Sequence, residues 1–246
     1  MWIYGRNPVL EALEQGQVER VAIAAGVKEG SVAQLRKAAR SHGVPVDSVP
    51  RIELDRALGT TSHQGVAAQL PELEYADLDA TLDKAASQAE RLLLVLLDSV
   101  QDPRNYGAIV RSAEVLGAHG VVSEKRRSAP LTAVVAKTAA GAASHLPLVQ
   151  VANLPTLMRD LSRRGVWLYG ADAGATATPE QVDWDRDVAI VIGSEGRGLR
   201  RLVAESCDEL VAIPTRGRIE SLNASVAAGV LLYAVQAGRD RAARRA

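Results

Sequence analysis

The 246-residue sequence has no phenylalanine, a single cysteine and only five lysines among its 29 basic residues. Hydrophobic residues still make up 47% of the chain, so it has enough apolar content to fold around an aliphatic core. Cys207 alone excludes a disulfide within the chain and a cysteine-based metal site. Because arginine outnumbers lysine, any anion-binding surface is expected to consist of guanidinium groups.

Long apolar runs and an excess of one charge are also missing. The longest apolar run covers residues 226–235 and is too short to span a bilayer. Arg6, Asn7 and Pro8 interrupt the start of the chain before any signal-like stretch, so we expect a cytoplasmic protein without a membrane segment. The formal net charge of zero argues against nucleic-acid binding by bulk charge. Residues 91–246, however, carry 20 basic and 16 acidic groups, a difference of +4.

Residues 1–72 form one part of the chain, a small α/β unit with a helix capped by Asn7 and a second helix capped by Ser31. Residues 73–90 are acidic and read as a linker leading into a surface helix. We expect the last ten residues to fray.

Strands and helices alternate in residues 91–246. The predicted strands cover residues 91–98, 119–123, 146–151, 166–170, 188–192 and 209–213. The predicted helices lie near residues 105–116, 130–141, 154–164, 197–204 and 222–236. This alternation predicts an α/β fold with a mostly parallel sheet and helices on both faces.

Three loops in this second part carry polar residues and glycines where a strand passes into a helix. They lie within residues 98–111, 188–202 and 207–235. The carboxyl ends of parallel strands share one sheet edge, where open α/β sheets bind ligands. Glycines there allow main-chain N–H groups to approach a ligand closely.

Each loop also has an ordinary structural interpretation. Asp102 with Pro103 suits a plain helix start, and Ser221 or Asn223 could simply cap the last helix. The arginines at 197, 200 and 201 could form a solvated helix face, and the histidines at 63, 119 and 145 are more often structural than catalytic. Three such loops at one edge nevertheless favour a functional site.

Several well-known motifs are missing from these loops. The glycines at 193, 196 and 198 are spaced G-x-x-G-x-G, which differs from the dinucleotide-binding G-x-G-x-x-G pattern. The sequence contains no Gly-Lys-Ser/Thr phosphate loop and no G-x-S-x-G nucleophile turn. A nicotinamide-dependent reductase is therefore disfavoured.

The three loops together resemble the three motifs of the SpoU (TrmH) family of RNA ribose 2′-O-methyltransferases. "DPRNYGAIVRSAEVLGA" is similar to the first motif, "VIGSEGRGL" to the second and "IPTRGRIESLNASVAAGVLLY" to the third. "IYGRNPVLEAL" and "HQGVAA" resemble the start and end of the L30e-like RNA-binding domain of the RlmB-like branch, which methylates a guanosine of 23S ribosomal RNA. The resemblance covers nearly the whole chain.

The resemblance implies a SPOUT-type fold with a trefoil knot in residues 91–246, an L30e-like domain in residues 1–72, and a homodimer. It also implies S-adenosylmethionine as cofactor, RNA as substrate and no metal. The positions that match the family's catalytic residues are Asn105, Arg111, Glu195, Ser221 and Asn223.

The cofactor pocket implied by the resemblance is lined mostly through main-chain groups. Its expected residues are Gly193, Ser194, Gly196, Gly198, Ile213 and Leu222. Local arginines at 126, 127, 197, 200, 201, 216 and 218 are expected to bind RNA. Substrate choice is expected from Arg6 and the turn His63–Gln64–Gly65.

The guanidinium of Arg111 keeps its proton in proteins, so we interpret it as a group that holds a phosphate and stabilises the developing alkoxide. Three other activities stay open. The substrate could be a transfer-RNA guanosine or a ribosomal adenosine, as in resistance enzymes, and the chain could be a non-catalytic RNA-binding assembly protein. Binding of S-adenosylmethionine would argue against the last of these.

Overall fold

The fold is described from a computed structural model, which covers residues 1–87, 90–218 and 221–244. These residues contain ten strands. They are β1 (Trp2–Tyr4), β2 (Arg20–Ala24), β3 (Val46–Val49), β4 (Val66–Gln69), β5 (Leu93–Leu97), β6 (Gly120–Glu124), β7 (Leu148–Val151), β8 (Trp167–Ala171), β9 (Val188–Ile192) and β10 (Glu209–Val211).

The same residues contain nine α-helices and two short 3-10 turns. The helices are α1 (Arg6–Glu14), α2 (Ala33–Ser41), α3 (Arg51–Leu58), α4 (Leu78–Ser87), α5 (Pro103–Val115), α6 (Ala133–Ala139), α7 (Leu154–Arg163), α8 (Arg201–Ala204) and α9 (Ala224–Ala243). The chain divides into two compact units. Met1–Leu73 and Thr132–Gly141 form the first, and the second consists of Glu74–Leu131 and the chain from Ala142 onward.

The first unit is built on a four-stranded sheet in the order β1-β4-β2-β3. Strands β2 and β3 are parallel, whereas β4 is antiparallel to both β1 and β2. The core on this sheet is aliphatic, as the composition predicts, and includes Val9, Leu13, Val21 and Leu35.

Two predicted helix caps in the first unit are wrong. Helix α1 begins at Arg6 with Gly5 as its N-cap, so Asn7 lies inside the helix. Ser31 ends a 3-10 turn, and its hydroxyl donates to the carbonyl of Lys28 at 2.6 Å instead of capping α2. Residues that favour caps also stabilise turns, and the sequence does not separate the two uses.

Helix α3 is not predicted from the sequence. Pro50 stands at its N-cap, and Gly59 ends it with a φ of 63°. A proline before a segment and a left-handed glycine after it together indicate the two ends of a helix, so the sequence did contain a signal for α3.

The second unit has a six-stranded sheet in the order β10-β8-β9-β5-β6-β7. Every pairing between these strands is parallel, which confirms the predicted α/β class and the mostly parallel sheet. Strands β5 and β9 are neighbours at the centre and are buried at every position. The direction of winding changes between them, and at such a point the carboxyl edge of a sheet opens into a crevice.

The surface helix expected within residues 73–90 is present as α4, but residues 74–87 group with the second unit and do not form a separate linker. They belong to the second unit, where Thr81 and Ala85 on α4 are 3% and 1% exposed. Asp79 on the outer side of α4 accepts a hydrogen bond from Arg164 at 2.9 Å. The acidic composition describes only the solvent-facing side of this helix.

Helix α6 groups with the first unit although it lies far along the chain. Ala133 and Ala136 pack against the first unit's core, and Lys137 pairs with Glu11 at 3.6 Å. An apolar pattern shows that a helix is packed and does not identify the sheet that it covers.

Helix α9 is longer than predicted, because the residues expected to fray remain helical as far as Ala243. Arg239 explains part of this order, since its guanidinium donates to the carbonyls of Arg91 and Leu92 at 2.9 and 2.8 Å. Residues 245 and 246 lie outside the described part of the chain.

Of the helices in the described ranges, none combines the length and apolarity needed to cross a membrane.

Candidate active site

The three polar loops lie at the carboxyl edge of the second unit's sheet, where two clefts border each other. The first cleft, of about 340 Å³, lies between the loops that follow β9 and β10 and the start of α9. The second, of about 690 Å³, lies between the loops that follow β5 and β9. The loop after β9 lines both clefts, so it is the wall that they share.

Three predicted catalytic side chains, Asn105, Glu195 and Asn223, form one hydrogen-bonded cluster at this wall. The side-chain amides of Asn105 and Asn223 both donate to Oε1 of Glu195, the latter at 2.6 Å. The Asn223 amide also donates to the Asn105 carbonyl oxygen at 3.1 Å. The carboxylate therefore fixes the direction of both amides.

Helix ends hold two members of this cluster in place. Asp102 caps α5 by accepting from the N–H of Arg104 at 2.8 Å, and Asn105 follows in the first turn with 8% of its surface exposed. Asn223 caps α9, and its carbonyl oxygen accepts from the N–H of Ser225 at 2.9 Å. The capping role and the cluster role of Asn223 use different atoms of the same amide.

Glu195 reaches the cluster from a tight loop at the end of β9. Ser194 and Gly198 pair across this loop through two main-chain hydrogen bonds of 3.1 and 2.9 Å. Gly193 lies directly beneath, where a Cβ would come within 2.5 Å of main-chain atoms of Gly198 and Leu199. Position 193 therefore needs glycine for close packing of main chain on main chain.

All six residues predicted for the cofactor pocket line the first cleft. They are Gly193, Ser194, Gly196, Gly198, Ile213 and Leu222. Ile213 lies beyond the end of β10 and Leu222 before the start of α9, and the main-chain polar groups of both have no partner within the described residues. Thr215, which sequence reasoning did not select, also lines this cleft. Its position two residues after Ile213, in the loop between β10 and α9, was the available signal.

Arg111 is separate from this cluster. It lies six residues after Asn105 on α5, which places it about 120° around the helix and about 9 Å along its axis. Its side chain is exposed, lines neither cleft, and has no hydrogen-bond or ion-pair partner within the described residues. Ser221 lines the first cleft and does not cap α9.

A second polar network lies below the shared wall, and the sequence did not reveal it. Asp98, at the end of β5, is completely buried and accepts from both the main-chain N–H of Arg200 and its guanidinium, the former at 2.7 Å. The same guanidinium donates at 2.7 Å to Glu124, which ends β6 and is 4% exposed. A charged residue at the end of an otherwise apolar strand was the available signal for both carboxylates.

This network corrects one expectation for RNA binding. Arg200 is committed to two buried carboxylates and is not a free surface arginine. Arg201 is exposed and pairs with Glu205 at 3.0 Å. The other predicted arginines, at 126, 127, 197, 216 and 218, are exposed, and Lys125 extends the run after β6. They lie on the loops after β6, β9 and β10, where Arg127 and Arg197 line the clefts, and we call this set the basic rim.

His63 in the first unit is structural, as the more ordinary interpretation predicted. Its side chain is completely buried, Nε2 lies 2.7 Å from Oδ1 of Asp55, and Nδ1 accepts from the N–H of Gly65 at 3.0 Å. Gln64 is exposed, and its side-chain oxygen accepts from the main-chain N–H of Arg6 at 3.1 Å. Of the predicted turn, Gln64 alone has an outward-facing polar side chain beside Arg6.

No group of three or more histidine, cysteine, aspartate or glutamate side chains within residues 1–87, 90–218 and 221–244 could hold a metal ion.

A parallel sheet with polar residues and clefts at its carboxyl edge defines an α/β protein of the class that binds ligands at that edge. The chain belongs to the SpoU rRNA methylase family, whose sequence model matches residues 92–233. Residues 2–76 match a second family, described as the RNA 2′-O ribose methyltransferase substrate-binding domain.

Similar proteins support this assignment. A Bacillus subtilis protein named as a TrmH family tRNA/rRNA methyltransferase, YacO, is 40% identical over 240 residues, which cover 97% of this chain and 96% of that protein. An uncharacterized tRNA/rRNA methyltransferase of Mycobacterium avium is 45% identical over 240 residues, covering 96% of this chain and 77% of its own.

A solved structure resembles the whole fold. The SpoU methyltransferase AviRb from Streptomyces viridochromogenes, crystallised in complex with the cofactor AdoMet, is 26% identical with a TM-score of 0.72. The match covers 98% of this chain and 91% of AviRb. Both units of the present fold are therefore included in the match.

Proposed function

We propose that this protein transfers the methyl group of S-adenosylmethionine to a ribose 2′-hydroxyl of RNA, with a guanosine of 23S ribosomal RNA as the acceptor. The observation that carries the proposal is the cluster of Asn105, Glu195 and Asn223 at the wall between two adjoining clefts. One cleft suits a methyl donor and the other an acceptor nucleotide. The wall between them is where donor and acceptor atoms have to meet.

The first cleft has the chemistry that S-adenosylmethionine requires. Apolar side chains of Val211, Ile213 and Leu222 offer a face for an adenine ring, and the unpartnered main-chain groups of Ile213 and Leu222 offer donors and acceptors for its edge. The carboxylate of Glu195 lies on the wall of the same cleft and suits a nearby positive charge. Bound there, S-adenosylmethionine supplies an electrophilic methyl group on a sulfonium, which is a good leaving group.

The residues of this chain then have to position the acceptor oxygen and assist loss of its proton. Correct placement of reacting groups accounts for roughly 7–11 kcal/mol of a barrier, whereas a general base contributes about 3–5 kcal/mol. The amides of Asn105 and Asn223, whose directions are fixed by Glu195, are suited to holding a ribose hydroxyl in line. Positioning is thus the larger contribution, and the cluster is built for it.

Although Arg111 lines neither cleft, we propose that its long exposed side chain reaches the phosphate beside the target ribose when RNA is bound and stabilises the developing alkoxide. Its exposed side chain has no partner within the described residues, so the guanidinium is available to RNA. The proton of the hydroxyl would pass to phosphate or water, since a guanidinium does not accept it.

Replacing Arg111 with lysine is expected to leave S-adenosylmethionine affinity within about twofold while most turnover is lost, because an ammonium cannot reproduce a two-point contact with phosphate. Calorimetric titration with the cofactor and single-turnover methyl transfer to RNA measure the two effects. Near-full turnover of R111K would contradict the assigned role.

The proposed function can be tested directly by incubating the protein with labelled S-adenosylmethionine and unmodified ribosomal RNA or transfer RNA. The labelled nucleotide is then mapped. Label on the ribose of a 23S guanosine is expected. Label on transfer RNA or on a ribosomal adenosine would show that the proposed substrate is wrong. Failure of the protein to bind S-adenosylmethionine would favour a non-catalytic assembly protein.

RNA binding is proposed to involve both parts of the chain. The basic rim around the clefts can contact phosphates, and the first unit, with Arg6 and Gln64 exposed, can contribute to substrate choice as an L30e-like domain. Because the net charge of the whole chain is zero, we expect a moderate dependence of affinity on salt. With an RNA substrate of this kind, we expect the protein to act in the cytoplasm.

The trefoil knot and the homodimer belong to the same proposal. The loops after β9 and β10 converge on one cleft, and main chain packs directly on main chain at Gly193, as a tightly threaded region requires. The outer face of α9 carries Val226, Val230 and Tyr233, which are 50%, 37% and 66% exposed at helical spacing. Val115 on α5, which packs against α9, is 71% exposed. We propose that a second copy covers this face through a self-complementary contact.

Replacing Tyr233 with glutamate is expected to convert dimers to monomers, because it places a charge on the apolar face at its most exposed position on α9. Sedimentation velocity at micromolar concentration measures the change. Ile52 on α3, which is 54% exposed, provides the control, and I52E is expected to remain dimeric. Monomeric wild-type protein would remove the basis for this interface.

A further inference from the structure

The loop after β5 presents an amide side chain to the second cleft, and this side chain has no role in the cluster described above. Gln101 lines that cleft and is exposed, and its side chain forms no hydrogen bond within the described residues. Its neighbours on both sides are held firmly. The position of Gln101 is therefore set by the fold while its hydrogen-bonding groups remain available.

The buried Asp98 anchors the start of this loop through Arg200, and its own N–H donates to the carbonyl of Ile192 on β9 at 2.8 Å. Ser99 follows with a φ of 63°, a left-handed conformation that a serine adopts only when its surroundings require it. The Ser99 hydroxyl donates to Asp98 at 3.2 Å.

The other side of the loop is equally fixed. Val100 is 3% exposed, and its carbonyl accepts from the N–H of Ala129 at 2.9 Å. Asp102 is committed to capping α5. Gln101 lies between an anchored residue and a cap, which is the arrangement that a recognition side chain needs to discriminate between ligands.

The second cleft has the size and charge for a nucleotide. Its volume of about 690 Å³ lies within the usual range for small-molecule sites. Its lining carries both charges, with Asp102 and Glu195 beside Arg127, Arg197 and Arg200. Arg200 and Arg127 are both paired with Glu124, the latter at 3.6 Å, whereas the exposed Arg197 has no hydrogen-bond or ion-pair partner within the described residues. A phosphodiester can therefore contact Arg197 at the edge of the cleft while the base enters toward Gln101.

We propose that the second cleft receives the acceptor nucleotide and that Gln101 reads the hydrogen-bonding edge of its base. The inference rests on the proposed function and adds the residue that determines base preference. A carboxamide donates and accepts at once, so it pairs with a matching edge of one base and leaves a buried polar group unpaired against another. Base readout of this kind is worth roughly 10- to 100-fold in discrimination.

The test compares wild type with Gln101→Leu on an RNA fragment containing the nucleotide mapped with labelled S-adenosylmethionine. Four versions of the fragment differ at that nucleotide alone. Wild type is expected to prefer one base, and Q101L is expected to lose roughly 10- to 100-fold of its rate on that base at subsaturating RNA. The four rates of Q101L should lie close together, with cofactor affinity unchanged. Gln34→Leu, the same change at an exposed position on α2, is the control and should behave as wild type.

Gln101→Glu adds a second measurement, because it retains the shape and the acceptor oxygen and loses the N–H donors. A changed order of preference among the four bases is expected for this variant. The inference is overturned if Q101L keeps the wild-type preference, if it slows all four substrates equally, or if wild type methylates all four alike. If wild type methylates no RNA, the proposed function fails and takes this inference with it.

Discussion

Replacing Arg200 with methionine lowers the free energy of unfolding of the second unit by about 3 kcal/mol. The guanidinium is the countercharge for Asp98 and Glu124, whose side chains are 0% and 5% exposed, and removal of one partner from a buried ion pair costs about 3–5 kcal/mol. We expect the lower end of this range because the Arg200 side chain is 29% exposed. For a chain of this size the loss corresponds to a fall in Tm of roughly 6–12 °C.

Arg201 provides a matched control one residue further along. Its side chain is 80% exposed and pairs with Glu205 on the surface, so Arg201→Met should cost less than about 0.5 kcal/mol. Calorimetric melting of both variants makes the comparison. Equal effects would show that the network around Arg200 does not stabilise the fold. Arg200→Lys keeps the charge without the two-sided geometry and should fall between wild type and R200M.

Replacing Glu195 with alanine is expected to reduce single-turnover methyl transfer by about 100-fold or more. The change removes the oxygen that accepts from both Asn105 and Asn223, so their amides lose their fixed directions. A displacement of about 1 Å at a reacting centre is enough for a loss of roughly 100-fold. Because Glu195 is exposed and lies on a loop, Tm should change little.

Three further variants separate positioning from general damage. Glu205→Ala removes an exposed glutamate outside the clefts and should leave turnover unchanged. Asn105→Ala and the double variant with E195A should each lose about as much rate as E195A alone, since the three side chains act as one unit. Additive losses across the double variant would contradict a shared role. Calorimetric titration with S-adenosylmethionine shows whether the loss lies in cofactor binding or in transfer.

Much of the second unit was predictable because its strands are buried on both faces. Strand β9 has the predicted bounds, 188–192, since a fully apolar run between Asp187 and Gly193 has only one interpretation as a strand. The residues of the first cleft were predictable for a related reason. They directly follow strand ends, and strand ends in a parallel sheet meet at one edge.

Contacts between distant parts of the chain were the part that the sequence could not supply. Arg200 and Asp98 are 102 positions apart, and their contact depends on β9 lying beside β5 in the sheet order. The pattern around Arg200 therefore looked like a solvated helix face. Arg111 shows the opposite case, in which residues close in sequence are separated in the fold. It belongs to the same motif as Asn105, but the helical geometry of α5 places the two side chains on different sides of the helix.

The discontinuous first unit has a consequence for synthesis of the chain. Its core is completed by α6, which is translated only after β5, α5 and β6 of the second unit have been made. Folding on the ribosome usually proceeds one domain at a time from the amino terminus. The buried core of the first unit lies within residues 3–70, so most of this unit can fold early, and Ala133 and Ala136 can pack onto it only after part of the second unit has been made.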